Sequence, residues 1–238
     1  CAKSTSTSAS VRTLAAVAIV SNGTSASGKW QWSTTGASWT DVGTASDASA
    51  VLVHAASFVR FLPASNFNGS APALSVRLVD DTQTSFTDGA TQNVSTNGGT
   101  SPYSTGTVAL NESVTAVNDA PSGADTTKTI PEDSSYTFAA ADFGFTDPAD
   151  GNAPSTSGAN AFLSVIITTL PTAGAGTLTL SNVAVTAGQE IAVANIPNLK
   201  FTPTANANGS PEGSFTFQVR DDGGILNSGQ DTDQSANT

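Results

Sequence analysis

Cysteine is nearly absent from this chain. Its single copy is residue 1, which rules out an internal disulfide. Methionine is absent altogether, and the expectation is a processed or excised piece of something larger. Cys1 fits a lipidated first residue, a cut point or an added residue, and composition does not choose among them. Histidine occurs once, as His54 in the run VLVHAAS, so no second Ser/His/Asp set can form and no Cys/His metal spacing exists. A lone His beside apolar residues reads as structural. Basic residues are scarce. The 8 Lys and Arg against 19 Asp and Glu leave a formal charge of −11, which disfavours nucleic acid and anionic lipid and favours divalent cations. No apolar run is long enough to insert into a membrane. No Gly-rich phosphate loop leads into a helix, and nothing singles out a carboxylate pair in a cleft for glycoside chemistry. The expectation is a protein that is not an enzyme.

What is present says one thing twice. FLPASNFNGSAPALSVRLVDD (61–81) recurs as FTPTANANGSPEGSFTFQVRDD (201–222). Phe61/Phe201, Pro63/Pro203, Asn66/Asn206, Asn68/Asn208 and Gly69/Gly209 keep one spacing, and Asp80–Asp81 return as Asp221–Asp222. A recurring unit of this size marks a modular array, and arrays serve extension, display or binding more than catalysis. Only 11% of residues are charged, so the surface is built from Ser, Thr, Asn and Gly, as suits an exported protein.

Short alternating runs between turn residues predict an all-β fold. In the first half, strands are expected near Thr13–Ser21, Gly28–Ser33, Ser49–His54, Val59–Leu62, Ala73–Val79 and Gly106–Val117. GKWQWSTTGASWTDVG reads as a hairpin with Trp30 and Trp32 on one face and Trp39 returning on the partner strand. Its aromatics read as core or as a carbohydrate platform. The Gly/Ser/Thr/Asn-rich stretch from Thr82 to Ser104 reads as a long surface loop, plain or ligand-contacting. In the second half, strands are expected near Lys128–Ile130, Ser135–Ala139, Phe162–Thr168, Gly176–Leu180, Val183–Val185, Glu190–Val193, Leu199–Pro203 and Gly213–Arg220, with a helical turn around Ala140–Phe143. VTAVNDAP joins the halves, and Pro121 stiffens that linker. The sequons at Asn22, Asn68, Asn93, Asn111 and Asn208 are of the kind that arise by chance in an Asn/Ser/Thr-rich chain, and the equivalent positions of Asn68 and Asn208 in the repeat point to a shared turn.

Four stretches, VNDAP (117–121), IPEDSSYTFAAADFGFTDPADGN (130–152), FTPTANANGS (201–210) and VRDDGG (219–224), resemble the cadherin-like, immunoglobulin-type tandem repeats of large bacterial surface adhesins of the RTX and VCBS kinds. GKWQWSTTGASWTDVG resembles a sister repeat of the same proteins. The resemblance implies two tandem immunoglobulin-like (cadherin-like) β-sandwich domains. Residues 1–117 would form a repeat lacking its opening strands, and residues 118–238 one lacking its closing strand. An incomplete sandwich exposes backbone groups and core. Either flanking sequence fills the gap, or another copy of the chain does so by strand donation from Cys1–Ser10 or Gly229–Thr238.

Asn118, Asp119, Asp147, Asp150, Asp221 and Asp222, with Asn152, lie in three segments that would converge on one end of the second domain. They form a candidate Ca²⁺ site resembling the inter-repeat calcium of cadherins. The bland alternative is that Asp, Asn and Gly are simply good turn residues. A complete site at Asp80 and Asp81 is not expected. The implied function is a structural or adhesive repeat module on the bacterial cell surface, an extender or fibre-forming unit with a calcium-stiffened joint. The alternatives are an adhesin module that binds glycan or peptide through Trp39, Tyr103 or the 82–104 stretch, and an accessory domain of a secreted enzyme.

Overall fold

The computed structural model describes residues 11–23, 26–209 and 213–238. Cys1–Ser10, expected as a strand donor, lies outside the described residues. The chain divides into two compact units, Cys1–Thr115 and Ala116–Thr238. Both are built from antiparallel strands, with helix confined to short segments of at most six residues among the described residues.

Unit 1 contains β1 (Leu14–Ser21), β2 (Gly28–Ser33), β3 (Thr40–Asp41), β4 (Ala50–His54), β5 (Phe58–Pro63), β6 (Gly69–Ser70), β7 (Leu74–Asp80), β8 (Thr91–Gln92), β9 (Val108–Leu110) and β10 (Ser113–Val114). They form sheets ordered β8-β4-β1-β7-β9, β3-β2-β5 and β10-β6. The expected closing strand Gly106–Val117 is broken at Asn111–Glu112, so that β9 pairs with β7 and β10 with β6. Strand alternation sorts β1 into two faces. Ile19, with Val51, Val53, Leu74 and Val76, packs on Trp30, Trp32, Val59 and Phe61 of the β3-β2-β5 sheet. The Trp30 indole N–H donates to the Pro72 carbonyl at 2.7 Å, so the buried ring keeps its polar atom paired.

The opposite face of the larger sheet carries small residues, Ala16, Ala18 and Ala50, beside Leu52. Those alanines leave room for a cover, and the 82–104 stretch supplies it. Val94, Tyr103 and Phe86 close over this face. The stretch is therefore a packed layer, not a plain surface loop. It is stitched to β4 by Leu52 N–H to Ala90 O (3.0 Å) and Gly89 N–H to Leu52 O (2.8 Å). His54 fastens the same layer. Its ring lies 2.8 Å from Asp88 and stacks on Phe86 at 3.9 Å between centroids. The Ser57 hydroxyl donates to Asp88 at 2.7 Å, and its backbone N–H to the His54 carbonyl at 3.0 Å.

Unit 2 contains β11 (Tyr136–Thr137), β12 (Phe162–Thr169), β13 (Gly176–Leu180), β14 (Val183–Ala184), β15 (Gln189–Ala192), β16 (Leu199–Pro203) and β17 (Thr216–Asp221). Its sheets are ordered β11-β16-β13-β14 and β15-β12-β17. Val165, Ile167, Ile191, Phe217 and Val219 of the second sheet share one core with Leu178 and Leu199 of the first. Phe143, from the 3₁₀ turn Ala140–Phe143, enters the same core. The expected strand Lys128–Ile130 does not form, because no described residue pairs with it. The segment Gly229–Thr238, expected as a strand donor to another copy, instead runs along β17 of its own unit. Asp221 N–H donates to Asp231 O and Asp233 N–H to Val219 O, each at 2.9 Å, and Phe217 and Asn237 exchange both backbone bonds.

The two units repeat one scaffold in detail. β1 on β7 and β12 on β17 are bulged at matching places, Leu14/Ala16 and Ile19/Ser21 in one, Phe162/Ser164 and Ile167/Thr169 in the other. Phe61 faces Trp30 as Phe201 faces Leu178. Gly28 (φ +143°) and Gly176 (φ +144°) face Pro63 and Pro203, and in each case an added Cβ would come 2.8 Å from the proline Cα. The units differ at several edges, and β8 covers β4 while no strand among the described residues covers β15. β16 is covered on its far side by β11, whereas β5 has no such neighbour among the described residues. In unit 1 the closing strand continues past Val108 to Leu110, opposite Leu74. In unit 2 the corresponding pairing is the bridge of Phe217 with Asn237.

Candidate metal centre

The three acidic segments meet at one end of unit 2. Asp147 caps the single helical turn Pro148–Gly151, accepting from Asp150 N–H at 3.4 Å, and its other oxygen accepts from Asn160 N–H at 2.7 Å. Asp150 accepts from Asp119 N–H at 2.9 Å. Asp221 ends β17, and its Oδ1 accepts from the Asn118 amide (3.0 Å) and Gly223 N–H (2.9 Å). Asn118 also donates to the carbonyls of Gly224 and Gln230 at 3.1 and 2.7 Å. The linker is thus fastened at Asn118 to the turn after β17.

Burial and charge are out of balance here. Asp147, Asp150 and Asp221 are buried, at 6%, 3% and 0% exposure, and Asp119 is half-buried. Among the described residues no Lys or Arg makes an ion pair with any of them. The Oδ2 of Asp221 is buried without a hydrogen-bond partner. A polar atom in that state costs on the order of 1–3 kcal/mol, more when charged. Burial pushes the Asp119 carboxyl above the ordinary range, with Asp150 and Asp147 adding repulsion. Burial also raises Asp221, against the bonds from Gly223 and Asn118, with Asp147 and Asp231 raising it further. This is an oxygen-rich, cation-poor pocket of the kind a hard cation neutralises.

No three carboxylates among the described residues are already set around one point as a metal would hold them. Asn160 explains the spacing. Its side-chain amide donates to Asn118 Oδ1 and to Asp150 Oδ2, so a neutral amide stands among the carboxylates. Sequence reasoning passed over Asn160, whose only signal was an amide in the Gly/Asn stretch just ahead of β12. Asp222 sits at the rim, exposed, with Oδ1 accepting from Ala161 N–H at 2.7 Å. Asn152 lies outside the cluster and donates to Pro148 O. Gly223 is required by close approach, since a Cβ there would strike the side chains of Asn118 and Asn160.

The counterparts in unit 1 are satisfied differently. Asp80 binds the Thr82 backbone and hydroxyl, which hold its carboxyl below the ordinary range. Asp81 faces Arg12 at 3.5 Å and accepts from the Thr13 hydroxyl at 3.0 Å. Asp80 and Asp81 therefore have polar partners of their own, while Asp221 keeps a bare oxygen. Among the described residues no helix is long and apolar enough to cross a membrane. Comparison with protein-family models, with curated proteins and with solved structures finds no match to this chain.

Proposed function

We propose that this chain is a structural and adhesive repeat module of a bacterial extracellular surface protein. It is read as two immunoglobulin-like (cadherin-like) domains in tandem, serving as an extender or fibre-forming unit, with Ca²⁺ firming the linker's attachment to the second. One observation carries the calcium part: the buried, unpartnered Oδ2 of Asp221 inside a group of carboxylates with no cationic partner. Asn118, Asp119, Asp147, Asp150 and Asp221 would hold the ion, with Asn160 and Asp222 beside them. Ca²⁺ takes about six to eight oxygens and would supply the positive charge this end of the unit lacks. The module part is supported by the repeated scaffold, since two copies of one bulged β-architecture in sequence are how extended arrays are built.

Recognition of glycan or peptide has weaker support at the residues first suspected. The Arg60 guanidinium covers the Trp39 ring at 4.0 Å, and the Tyr103 side chain is buried between the 82–104 layer and the alanine face of the sheet. Calorimetric titration with Ca²⁺ tests the proposal. The expected result is stoichiometric binding that is abolished in Asp147→Asn/Asp221→Asn. Absence of any binding heat, with unfolding indifferent to chelator, would defeat the calcium reading.

A further inference from the structure

The outer face of the β3-β2-β5 sheet carries a cation that no carboxylate neutralises among the described residues. Trp30, Trp32, Val59 and Phe61 point into the core of unit 1, so alternation puts Gln31, Phe58 and Arg60 on the opposite face. The chain has four arginines. Arg12, Arg77 and Arg220 each pair with an aspartate. Arg60 is held by a neutral amide instead. Its Nε and Nη2 both donate to Gln31 Oε1, at 2.9 and 2.8 Å. Behind Gln31 stands Asp41, which accepts from Gln31 Nε2 at 2.6 Å and is neutralised by Lys29 at 2.7 Å.

The same contacts fix how the guanidinium is presented. Gln31 is buried and takes up the Nε–Nη2 edge with one oxygen. The Trp39 ring supports the flat of the guanidinium at 4.0 Å, and its own N–H is tied to Gly36 O at 3.1 Å. The Nη1–Nη2 edge is left over, and that fork matches the two oxygens of one carboxylate. Phe58 adjoins the same turn, since a Cβ on Gly36 would lie 3.9 Å from its ring, and that ring is 49% exposed. Thr34, Thr35 and Ser38 of the turn are exposed as well. Unit 2 has no equivalent. Lys200 stands where Arg60 does, between Thr137 and Thr179, with no ring beneath it among the described residues.

We propose that this face of unit 1 binds a carboxylate-bearing sugar, a single uronate set among neutral sugars. The carboxylate takes the free edge of Arg60, the Phe58 ring takes the C–H face of the sugar, and the hydroxyls of the turn meet the sugar hydroxyls. A neutral sugar stacked on Trp39 does not fit, because Arg60 already covers that ring. A nucleic acid or an anionic membrane presents many closely spaced charges to a chain of net charge −11, with one free cation here to hold them. An isolated carboxylate needs only that one. The site uses none of the residues of the calcium reading.

The test uses the full chain, isotope-labelled, in metal-free buffer without other carboxylates, so that its outcome is independent of the calcium reading. The probe is a trisaccharide ending in one glucuronate. The expected result is saturable binding that shifts the Trp39 indole N–H, the Arg60 Nε–H and the Phe58 ring. The methyl ester of the same trisaccharide should bind about tenfold more weakly or worse, because a charge-assisted pair of hydrogen bonds is lost. Arg60→Gln should lose binding to the same extent, and Lys200→Gln should leave it unchanged. If Arg60→Gln does not fold, the ester still decides, since it removes the charge from the ligand. No binding, equal binding of acid and ester, or shifts confined to unit 2 would overturn the proposal. An acetylated Gly-Glu-Gly peptide that competes as well as the sugar would make any carboxylate the ligand, and would overturn the assignment to a sugar.

Discussion

The side-chain amide of Asn118 donates to Oδ1 of Asp221 at 3.0 Å, across 103 positions of sequence, while Oδ2 of the same carboxylate is buried with no partner. The linker is thus tied to the end of β17 by a group that is itself electrostatically unsatisfied. The bond orients the carboxylate, and the bare oxygen leaves it in need of a positive charge.

Asp221→Asn separates these two roles. The variant can keep the acceptor toward Asn118 and Gly223 and place a neutral amide where Oδ2 lies. In chelator it should be more stable than the parent by about 1–2 kcal/mol, because a buried unpaired charge is removed. With Ca²⁺ the order should reverse. Thermal unfolding of both proteins in chelator and in millimolar Ca²⁺ reads this crossover.

The metal-free protein should carry the same conflict into its pH dependence. The folded-state carboxyls of Asp119 and Asp221 are raised, so the fold holds their protons more tightly than the unfolded chain does. Their penalty is fully present above the raised values and is relieved as pH falls through them toward about 4. Asp88 runs the other way. Burial works against its ionisation, but bonds from the His54 backbone, Ser57 and the His54 ring outweigh that and leave it depressed. Asp142 is likewise depressed. Burial opposes its ionisation, and Lys128, the Ala139 N–H and Tyr136 outweigh it. Stability from these two is present above about pH 4 and lost below it. The gap in melting temperature between Asp119→Asn/Asp221→Asn and the parent should therefore narrow from pH ~7 to ~4 in chelator. A gap independent of pH would contradict the raised carboxyls.

Gly28 and Gly176 should fail alike when changed to alanine. Both hold a φ near the limit of what a side chain tolerates, and both face a proline Cα and the ring of the repeated Phe. Each substitution should cost about 2 kcal/mol or more. Gly28→Ala should lower the unfolding transition of unit 1 and Gly176→Ala that of unit 2, as unit-resolved hydrogen exchange would show.

The strands were legible where alternation is strict. Gly28–Ser33, Gly176–Leu180 and Leu199–Pro203 occupy the spans their patterns predict, and the turn at Ala140–Phe143 does so too. Three features were not legible, each because it depends on a distant partner. Lys128–Ile130 has strand composition but no strand partner among the described residues. Thr82–Ser104 lacks periodicity because single side chains, Phe86, Val94 and Tyr103, do its packing at irregular intervals. Asn160 is one amide among many in a polar stretch, and its role exists only where the three acidic segments meet. The acidic residues themselves could be read, because carboxylates are few and bunched.

The cover over unit 1 has its own test. Val94 is fully buried against the alanine face. Val94→Ala removes two buried methyl groups at about 0.8 kcal/mol each and leaves a cavity, so unit 1 should lose roughly 1.5–3 kcal/mol. Proteolysis should then cut first within residues 82–104. Unchanged stability would mean that this stretch is not part of the core.

Site-resolved amide exchange with and without Ca²⁺ tests the central claim most directly. Ca²⁺ should slow exchange at Asp119, at Asp150–Gly151, at Asn160–Ala161 and at Gly223, where backbone N–H groups surround the acidic cluster, and leave Thr82 of unit 1 unchanged. No change at those amides, or a change spread evenly over both units, would contradict the assignment of this end of unit 2 as a calcium site.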